Sequence, residues 1–444
     1  MTTSAPLVSL QAPKDVSIEE IEAELSQLWQ NSYSDEGLSA TRATTFSFLV
    51  YEPDETQALL GNLGFYSGPV DGVAGSRTTA AVKAAQKVYG FEQTGKVTPE
   101  FLARLQEAWA QKSEEGDNGM PHYSADLSSA GVTDAIAASN PCRIITLCPT
   151  AGNDEGVSAQ VSAYCPVNKR GGSSLVCCEY ITLRGTAEAL GRIGGLITEL
   201  LVQDLPKFVW WKAVPDMEYA LFQRLMGEAD TLIVDSSGFH ESESDLRTLG
   251  QLIQQGHNVA DLNWSRLAAW QELTAAAFDP PERRAAIAEV DQVTINFEKG
   301  NATQALMYLS WIAGRLNWNP VAIERDFGDY EIYNVQFTDS QQKTIKAELA
   351  GLPMADAGDV MGDLVNIKLS STNLNIDCCT VLCSETSGCM RMESGGGAQS
   401  CRIQQVTSLD DQNTEQLLGQ QLQRWGQDML YKESMDKMMQ VISA

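Results

Sequence analysis

Phe208-Val209-Trp210-Trp211 and Thr231-Leu232-Ile233-Val234-Asp235 are two short apolar runs rich in aromatic and β-branched residues, the composition that suits a pleated, buried strand. Between them, Tyr219 to Met226 carries apolar residues at helical spacing. A strand, a helix and a second strand within so short a stretch make the unit from which parallel sheets are built. Working outward, Leu190 to Val202 reads as a helix rich in Leu and Ile, and Leu175 to Leu183 as a strand entered through the turn Gly171-Gly172-Ser173. Ala159 to Cys165 alternates weakly, Arg143 to Leu147 reads as a buried strand, and Leu246 to Gln255 as a further helix. The expectation is an α/β domain over 140–258 with a partly parallel sheet.

On the C-terminal side, Asn263 is a candidate cap for a connecting helix within 259–281, with Trp264, Leu267, Trp270 and Leu273 on its apolar face. Phe278-Asp279-Pro280-Pro281 stops it. Residues 282–444 mix strands (Val293 to Phe297, Tyr330 to Phe337, Val365 to Leu369, Leu374 to Val381, Cys401 to Val406) with two helices. The helix Gln304 to Leu316 is apolar nearly all round and therefore buried; the other runs from about Thr414 to Met439. This predicts an α+β domain with an antiparallel sheet. On the N-terminal side, residues 1–51 form an arm and a helix, with Ser17 and Glu20 as a capping box before Ile21, Leu25, Leu28 and Trp29. Residues 52–109 form a glycine-punctuated helical module, and 110–139, with Lys112-Ser113-Glu114-Glu115-Gly116-Asp117, a linker.

Composition narrows the function. The 444 residues carry a formal net charge of −27. Nucleic-acid binding needs clustered Lys and Arg to displace counterions, and anionic membrane surfaces are disfavoured by the same charge. A partner with a basic patch fits. Met1-Thr2-Thr3-Ser4-Ala5-Pro6 has neither a basic nor an apolar leader region, and no run approaches the roughly 20 apolar residues of a spanning helix. A cytoplasmic protein is expected.

Familiar catalytic signatures are missing. Gly191-Arg192-Ile193-Gly194-Gly195 lies inside a helical pattern rather than after a strand. Of the three histidines, His122, His240 and His257, His122 adjoins the linker and His240 follows Asp235-Ser236-Ser237-Gly238-Phe239 at a strand end. Open α/β sheets bind ligands at such ends, so a small-molecule enzyme with its site near Asp235 and Ser236 is the alternative reading. Residues this close in sequence seldom reach triad geometry, and a polar turn is the plainer account. Trp210, Trp211, Trp264, Trp270, Trp311 and Trp318 read as core, or as interface anchors where exposed.

The ten cysteines form two groups: Cys142, Cys148, Cys165, Cys177 and Cys178, then Cys378, Cys379, Cys383, Cys389 and Cys401. In a reducing cytosol they do not read as a structural disulfide framework. For the second group, zinc needs about four ligands; Cys379 and Cys383 are suitably spaced, but Cys389 and Cys401 make no second pair and no histidine is near. Cys378 and Cys379 suit small buried hydrophobes in a strand, as do Cys177 and Cys178. Cys383 and Cys389 flank the polar insert Ser384-Glu385-Thr386-Ser387-Gly388, which permits a chain reversal. A bond closing so short a loop constrains the unfolded chain by only about 2–2.5 kcal/mol, suited to a reducible switch, and Cys401 beside Arg402 remains an alternative partner. Arg391 near Cys389 favours thiolate.

Two resemblances follow. Leu59-Leu60-Gly61-Asn62-Leu63-Gly64-Phe65-Tyr66, Gly68, Val70-Asp71-Gly72-Val73-Ala74-Gly75, then Thr78, Ala81, Val82, Gln86 and Thr94-Gly95-Lys96-Val97 resemble the peptidoglycan-binding-like fold. That implies a small three-helix bundle, here read as a docking or spacer module, with glycan binding the less favoured use. Phe208 to Ala213, Leu232 to Ser236, Asp261-Leu262-Asn263-Trp264-Ser265-Arg266-Leu267-Ala268-Ala269-Trp270-Gln271-Glu272, and Ala305 to Trp318 with Trp311, Arg315 and Leu316 resemble the OpcA family of glucose-6-phosphate dehydrogenase assembly proteins. The resemblance spans about residues 140–440. It implies a non-catalytic partner that activates or assembles glucose-6-phosphate dehydrogenase in the oxidative pentose phosphate pathway, with no cofactor or metal of its own. In the cyanobacterial branch it further implies thioredoxin-linked control, the oxidised form supporting the dehydrogenase; that role is carried onto Cys383 and Cys389. Members outside this branch generally lack the cluster, so the resemblance implies the switch for the subgroup alone.

Overall fold

The computed structural model describes residues 8–9, 16–31, 39–42, 44–53, 55–66, 76–115, 136, 141–150, 154–164, 174–239, 241–328, 330–353, 360, 362–373, 380–385, 389–394, 403–408 and 414–444. The chain divides into two compact units between Val234 and Asp235, upstream of the boundary at 258 expected from sequence.

The first unit is organised by a sheet of β1 (Val8–Ser9), β2 (Ser39–Arg42), β3 (Ser47–Tyr51), β4 (Arg143–Pro149), β5 (Ser158–Tyr164), β6 (Ser174–Gly185), β7 (Lys207–Trp211) and β8 (Thr231–Val234). Its main path runs β5-β6-β4-β3-β7-β8, with β1 beside β5 and β2 beside β6. The pairs from β6 through β8 are parallel and β5 is antiparallel to β6. β3 corrects the sequence reading, which left Ser47–Tyr51 in the N-terminal arm. It is buried along its whole length and lies between β4 and β7. A five-residue run buried on both faces has no alternation to announce it. Tyr51 stacks on Trp211 at 3.8 Å between centroids, so the inserted strand also carries the aromatic core.

Helix α1 (Ile18–Asn31) opens with the expected capping box: Glu20 N donates to Ser17 Oγ and Ser17 N to a Glu20 carboxylate oxygen. Helices α2 (Glu55–Asn62), α3 (Ser76–Val88) and α4 (Pro99–Glu115) share one apolar cluster built from Leu59, Leu60, Ala81, Val82, Ala85, Phe101 and Leu105. Gln86 fastens the turn between α3 and α4, accepting from Gly95 N and donating to Lys96 O. The turn residues Gly68 and Val70 to Gly75, and most of the expected linker, lie outside the described residues. The single helix expected over 190–202 is two, α5 (Ala187–Arg192) and α6 (Gly194–Glu199), interrupted at Ile193 just before Gly194-Gly195. Helix α7 (Ala220–Glu228) lies between β7 and β8 in sequence.

The second unit holds α8 (Ser242–Gln254), β9 (Val259–Asp261), α9 (Leu262–Arg266), α10 (Ala268–Phe278) and α11 (Pro281–Arg284). Asp261, rather than Asn263, caps α9, accepting from Asn263 N. A sheet follows: β10 (Gln292–Glu298), β11 (Asn319–Phe327), β12 (Glu331–Thr338), β13 (Thr344–Leu352), β14 (Leu364–Ser370), β15 (Thr380–Glu385), β16 (Cys389–Ser394) and β17 (Ile403–Ser408), in the order β11-β12-β13-β10-β14-β15-β16-β17. It is mixed, which corrects the expected antiparallel sheet: β10 and β13 run parallel from Gln292↔Lys346 to Glu298↔Leu352. The cause is the crossover helix α12 (Thr303–Arg315), after which the β11-β12-β13 meander returns its last strand alongside β10. Helix α12 is buried almost throughout, as its composition predicts. The expected terminal helix is two, α13 (Thr414–Gln421) and α14 (Met429–Val441). Asp428 caps the second, accepting from Tyr431 N at 2.9 Å.

Candidate functional site

Asp235 opens the second unit at the head of a single 3-10 turn, Ser236–Gly238. Its two carboxylate oxygens accept from the two terminal nitrogens of Arg266 at 2.7 and 2.8 Å, and one also accepts from Ser237 Oγ at 2.6 Å. Burial alone would raise the Asp235 pKa; the fork of Arg266 beside it wins and holds the carboxyl below its ordinary value. The Arg266 side chain is 1 % exposed, and its guanidinium also donates to Thr414 Oγ1.

The network spreads inward. Ser236 N and Asn263 N both donate to Asp261 Oδ1. Asn263 Nδ2 donates to Ser236 Oγ at 3.1 Å and to Thr303 Oγ1 at 2.9 Å. Gln304 Nε2 joins Asn263 Oδ1 to Asp363 Oδ1 at 2.8 and 2.7 Å. Asn301 Nδ2 donates to the carbonyls of Ser236, Ser237 and Phe239. Burial pushes Asp363 up to about 7, and burial together with the charge of Asp235 pushes Asp261 up to about 6.

Of the groups proposed for a strand-end enzyme site, the structure brings Asp235 and Ser236 together, but with neighbouring protein groups as their partners. Ser236 is fully buried. A nucleophile must reach its substrate, and these two side chains act here as a polar lock on backbone and helix ends. His240 and His122 lie outside the described residues, and His257 is half-buried. Sequence reading missed Asn301, Thr303, Gln304 and Asp363. The signal lay in Asn301, Thr303 and Gln304, polar residues at the very start of an apolar helix. Trp210, Trp211, Trp264, Trp270, Trp311 and Trp318 are all buried, which settles them as core; Trp425 is 64 % exposed.

Cys383 lies in β15 and Cys389 begins β16. The register sets Cys383 opposite Arg391 and Glu385 opposite Cys389, so the two cysteine positions are diagonal rather than directly opposed. Cys165, Cys378, Cys379 and Cys401 lie outside the described residues. Cys142 and Cys178 are buried side by side, and hydrogen bonding to the Cys178 thiol and burial push Cys142 up. Among the described residues no group of three or more His, Cys, Asp or Glu is arranged to hold a metal ion, and no helix is long and apolar enough to cross a membrane.

Three family models match the chain. Residues 133–251 match the glucose-6-phosphate dehydrogenase subunit N-terminal domain and 257–435 its C-terminal domain; residues 52–105 match a peptidoglycan binding domain. Three relatives are each described as an OxPP cycle protein, OpcA. The one from Synechocystis sp. is 62 % identical over 98 % of this chain and 93 % of its own length. That from Nostoc punctiforme is 55 % identical over 97 % and 94 %, and that from Synechococcus elongatus 48 % over 98 % and 97 %. A solved dehydrogenase from Clostridium difficile covers 58 % of this chain and 85 % of its own at a TM-score of 0.35 and 8 % identity, too distant a likeness for chemistry to carry over. With both of its domains matched and near full-length identity to cyanobacterial relatives, the chain belongs to the OpcA family.

Proposed function

We propose that this protein is a non-catalytic partner of glucose-6-phosphate dehydrogenase that assembles or activates it, under redox control through Cys383 and Cys389. The match of both dehydrogenase-subunit domains over residues 133–435 carries the partnership. Two features support it against an enzyme of its own. The strand-end groups Asp235 and Ser236 are engaged by Arg266, Asp261 and Asn263, and Trp210, Trp211, Trp264, Trp270, Trp311 and Trp318 are core.

The redox step is dithiol–disulfide exchange: two thioredoxin thiols become a disulfide while the Cys383–Cys389 bond becomes two thiols, with electrons and protons conserved. Diagonal positions on an antiparallel pair stand about 7–8 Å apart between Cα atoms, beyond the roughly 4.4–6.8 Å a disulfide spans. Oxidation would therefore shift β15 and β16 locally along one another, which gives the dehydrogenase two arrangements to tell apart. Regulation requires that it bind them unequally.

Dehydrogenase kinetics with the oxidised protein, the dithiol-reduced protein and Cys383→Ser test both levels. The expected result is activation by the oxidised protein, lost on reduction and in the variant. Activation that survives both would sink the cysteine assignment and leave the partnership; no effect from any preparation would sink the partnership.

A further inference from the structure

In the second unit, a cavity of about 330 Å³ opens between the start of α8 and the turn joining β11 to β12. Three carboxylates line it, Glu241, Glu243 and Glu331, against one cation, Lys299. The wall between them is aromatic. Phe327 is 61 % exposed and Tyr330 51 % exposed, and Tyr333 meets Phe327 edge-on at 5.3 Å between centroids. Large aromatic rings left half in water beside a pocket mark a surface made to be covered.

The scaffold is fixed. Arg325, on β11, forks onto Glu243 with two bonds of 2.6 Å. Glu331 accepts from Tyr333 Oη at 3.0 Å and from Gly300 N at 3.2 Å. Glu241 stands exposed at the mouth. A helix N-terminus alone would invite an anion, but α8 carries Glu243 and Asp245 in its first turn, which answer the positive end of the dipole internally. With Lys299 and Arg325 set against the three carboxylates, one negative charge is left over at the cavity. Carboxylates beside the faces of electron-rich rings are the surroundings that hold an ammonium or guanidinium group, by charge pairing and cation–π attraction together. The chain's charge of −27 draws a basic partner to it over a longer range.

We propose that this cavity receives a lysine or arginine side chain from a basic patch on the dehydrogenase, and so forms an anchor of the docking surface. The inference rests on the partnership proposed above and adds its location. Exposed positions allow clean tests, because Phe327, Tyr330 and Glu241 contribute little to the core.

Affinity for purified dehydrogenase should be measured at two salt concentrations for the full chain, for Phe327→Ala with Tyr330→Ala, for Glu241→Lys, and for Val321→Ser as a control. Val321 is an exposed residue of β11 that does not line the cavity. Both cavity variants should bind at least about tenfold more weakly, as expected of central anchors, while the control is unchanged. The loss from Glu241→Lys should shrink at high salt. Wild-type affinity in both cavity variants overturns the proposal. A second arm titrates a short arginine-containing peptide and its citrulline counterpart, without dehydrogenase. Preference for arginine that disappears in Phe327→Ala with Tyr330→Ala supports the cavity; equal binding of both peptides overturns it. A wild-type chain that takes the arginine peptide through this cavity but not the dehydrogenase refutes the partnership and, with it, the identity of the docked partner.

Discussion

Replacing Asp363 by Asn changes one proton-binding group in the polar lock and little else. The Asp363 carboxyl accepts from Gln304 Nε2 at 2.7 Å, and the Asn carbonyl oxygen can accept the same bond. Burial raises this carboxyl from 3.8 to about 7, with Glu298 and Asp235 adding to the rise and Gln304 and Arg266 opposing it. Below pH 3.8 the group is protonated whether the chain is folded or not, and costs nothing. Between 3.8 and about 7 the unfolded chain releases the proton while the folded chain keeps it, so stability falls as pH rises. Above 7 both states are ionised and the penalty is constant. At about 1.4 kcal/mol per pH unit, the full penalty is roughly 4 kcal/mol, of which about 2–3 kcal/mol accrues between pH 5 and pH 8.

Asp363→Asn should therefore gain on the wild type by about 2–3 kcal/mol on going from pH 5 to pH 8. Asp261 titrates in the same window, at about 6, and comparison with the wild type at each pH subtracts most of its contribution. Because a chain of two compact units can unfold in more than one step, hydrogen exchange at the amides of α12 is the suitable local readout, with urea unfolding beside it. A wild-type-to-variant difference that stays the same at both pH values, within about 0.5 kcal/mol, refutes the account of Asp363 as a proton-holding member of the network.

Two further substitutions probe the same lock. Gly362 has φ +82°, and a Cβ there would lie 2.1 Å from the Asn301 carbonyl oxygen. Gly362→Ala must therefore move the residue that holds three carbonyls of the 236–239 turn, and should lower stability by more than about 3 kcal/mol in thermal unfolding; a melting temperature within about two degrees of wild type refutes that. Arg266→Met leaves Asp235, whose side chain is 21 % exposed, without its ion partner and should cost about 2–3 kcal/mol, less than breaking a fully buried pair. Adding Asp235→Asn should recover a large part, and a double variant no better than Arg266→Met would show the pair is not the reason.

The α/β alternation of the first unit could be read directly, because Trp210, Trp211 and Leu232 to Val234 are long enough apolar signals to outweigh local ambiguity. Ser47–Tyr51 could not: its place depends on β4 and β7, which are distant in sequence, and five apolar residues specify no partner. In the second unit, β13 alternates Ile345, Ala347 and Leu349 inward with charged residues between, a legible pattern that the charged composition of 343–348 obscured. The polar lock was half visible. Asp235 and Ser236 stand out as a strand end, but only folding brings Asp261, Asn301 and Asp363 to them, and that assembly turns an apparent active-site motif into a fastening. Of the two readings open for the six tryptophans, core or exposed anchor, burial selects core. The tryptophans singled out from sequence are core, while Phe327, the last residue of β11, and Tyr330, in the turn after it, are among the large side chains left exposed.

Thermodynamics constrains how the proposed switch and the proposed partnership can work together. If the dehydrogenase binds the oxidised protein tenfold more tightly, linkage requires that the bound protein hold its disulfide tenfold more strongly against reduction. For a two-electron couple that is a shift of about 30 mV toward more reducing potentials in the complex. At equilibrium, reduction of the free protein would then be tenfold more favourable than reduction of the complex, and reducing the free pool would draw the complex apart. In the proposed switch, closing a bond between the diagonal positions of Cys383 and Cys389 would shift β15 against β16, and that shift is what unequal binding would read. β15 also pairs with β14 and β16 with β17, so a shift between β15 and β16 must be accommodated by the strands on either side. The dehydrogenase therefore need not touch either cysteine to sense their state, provided its surface includes strands that move with them.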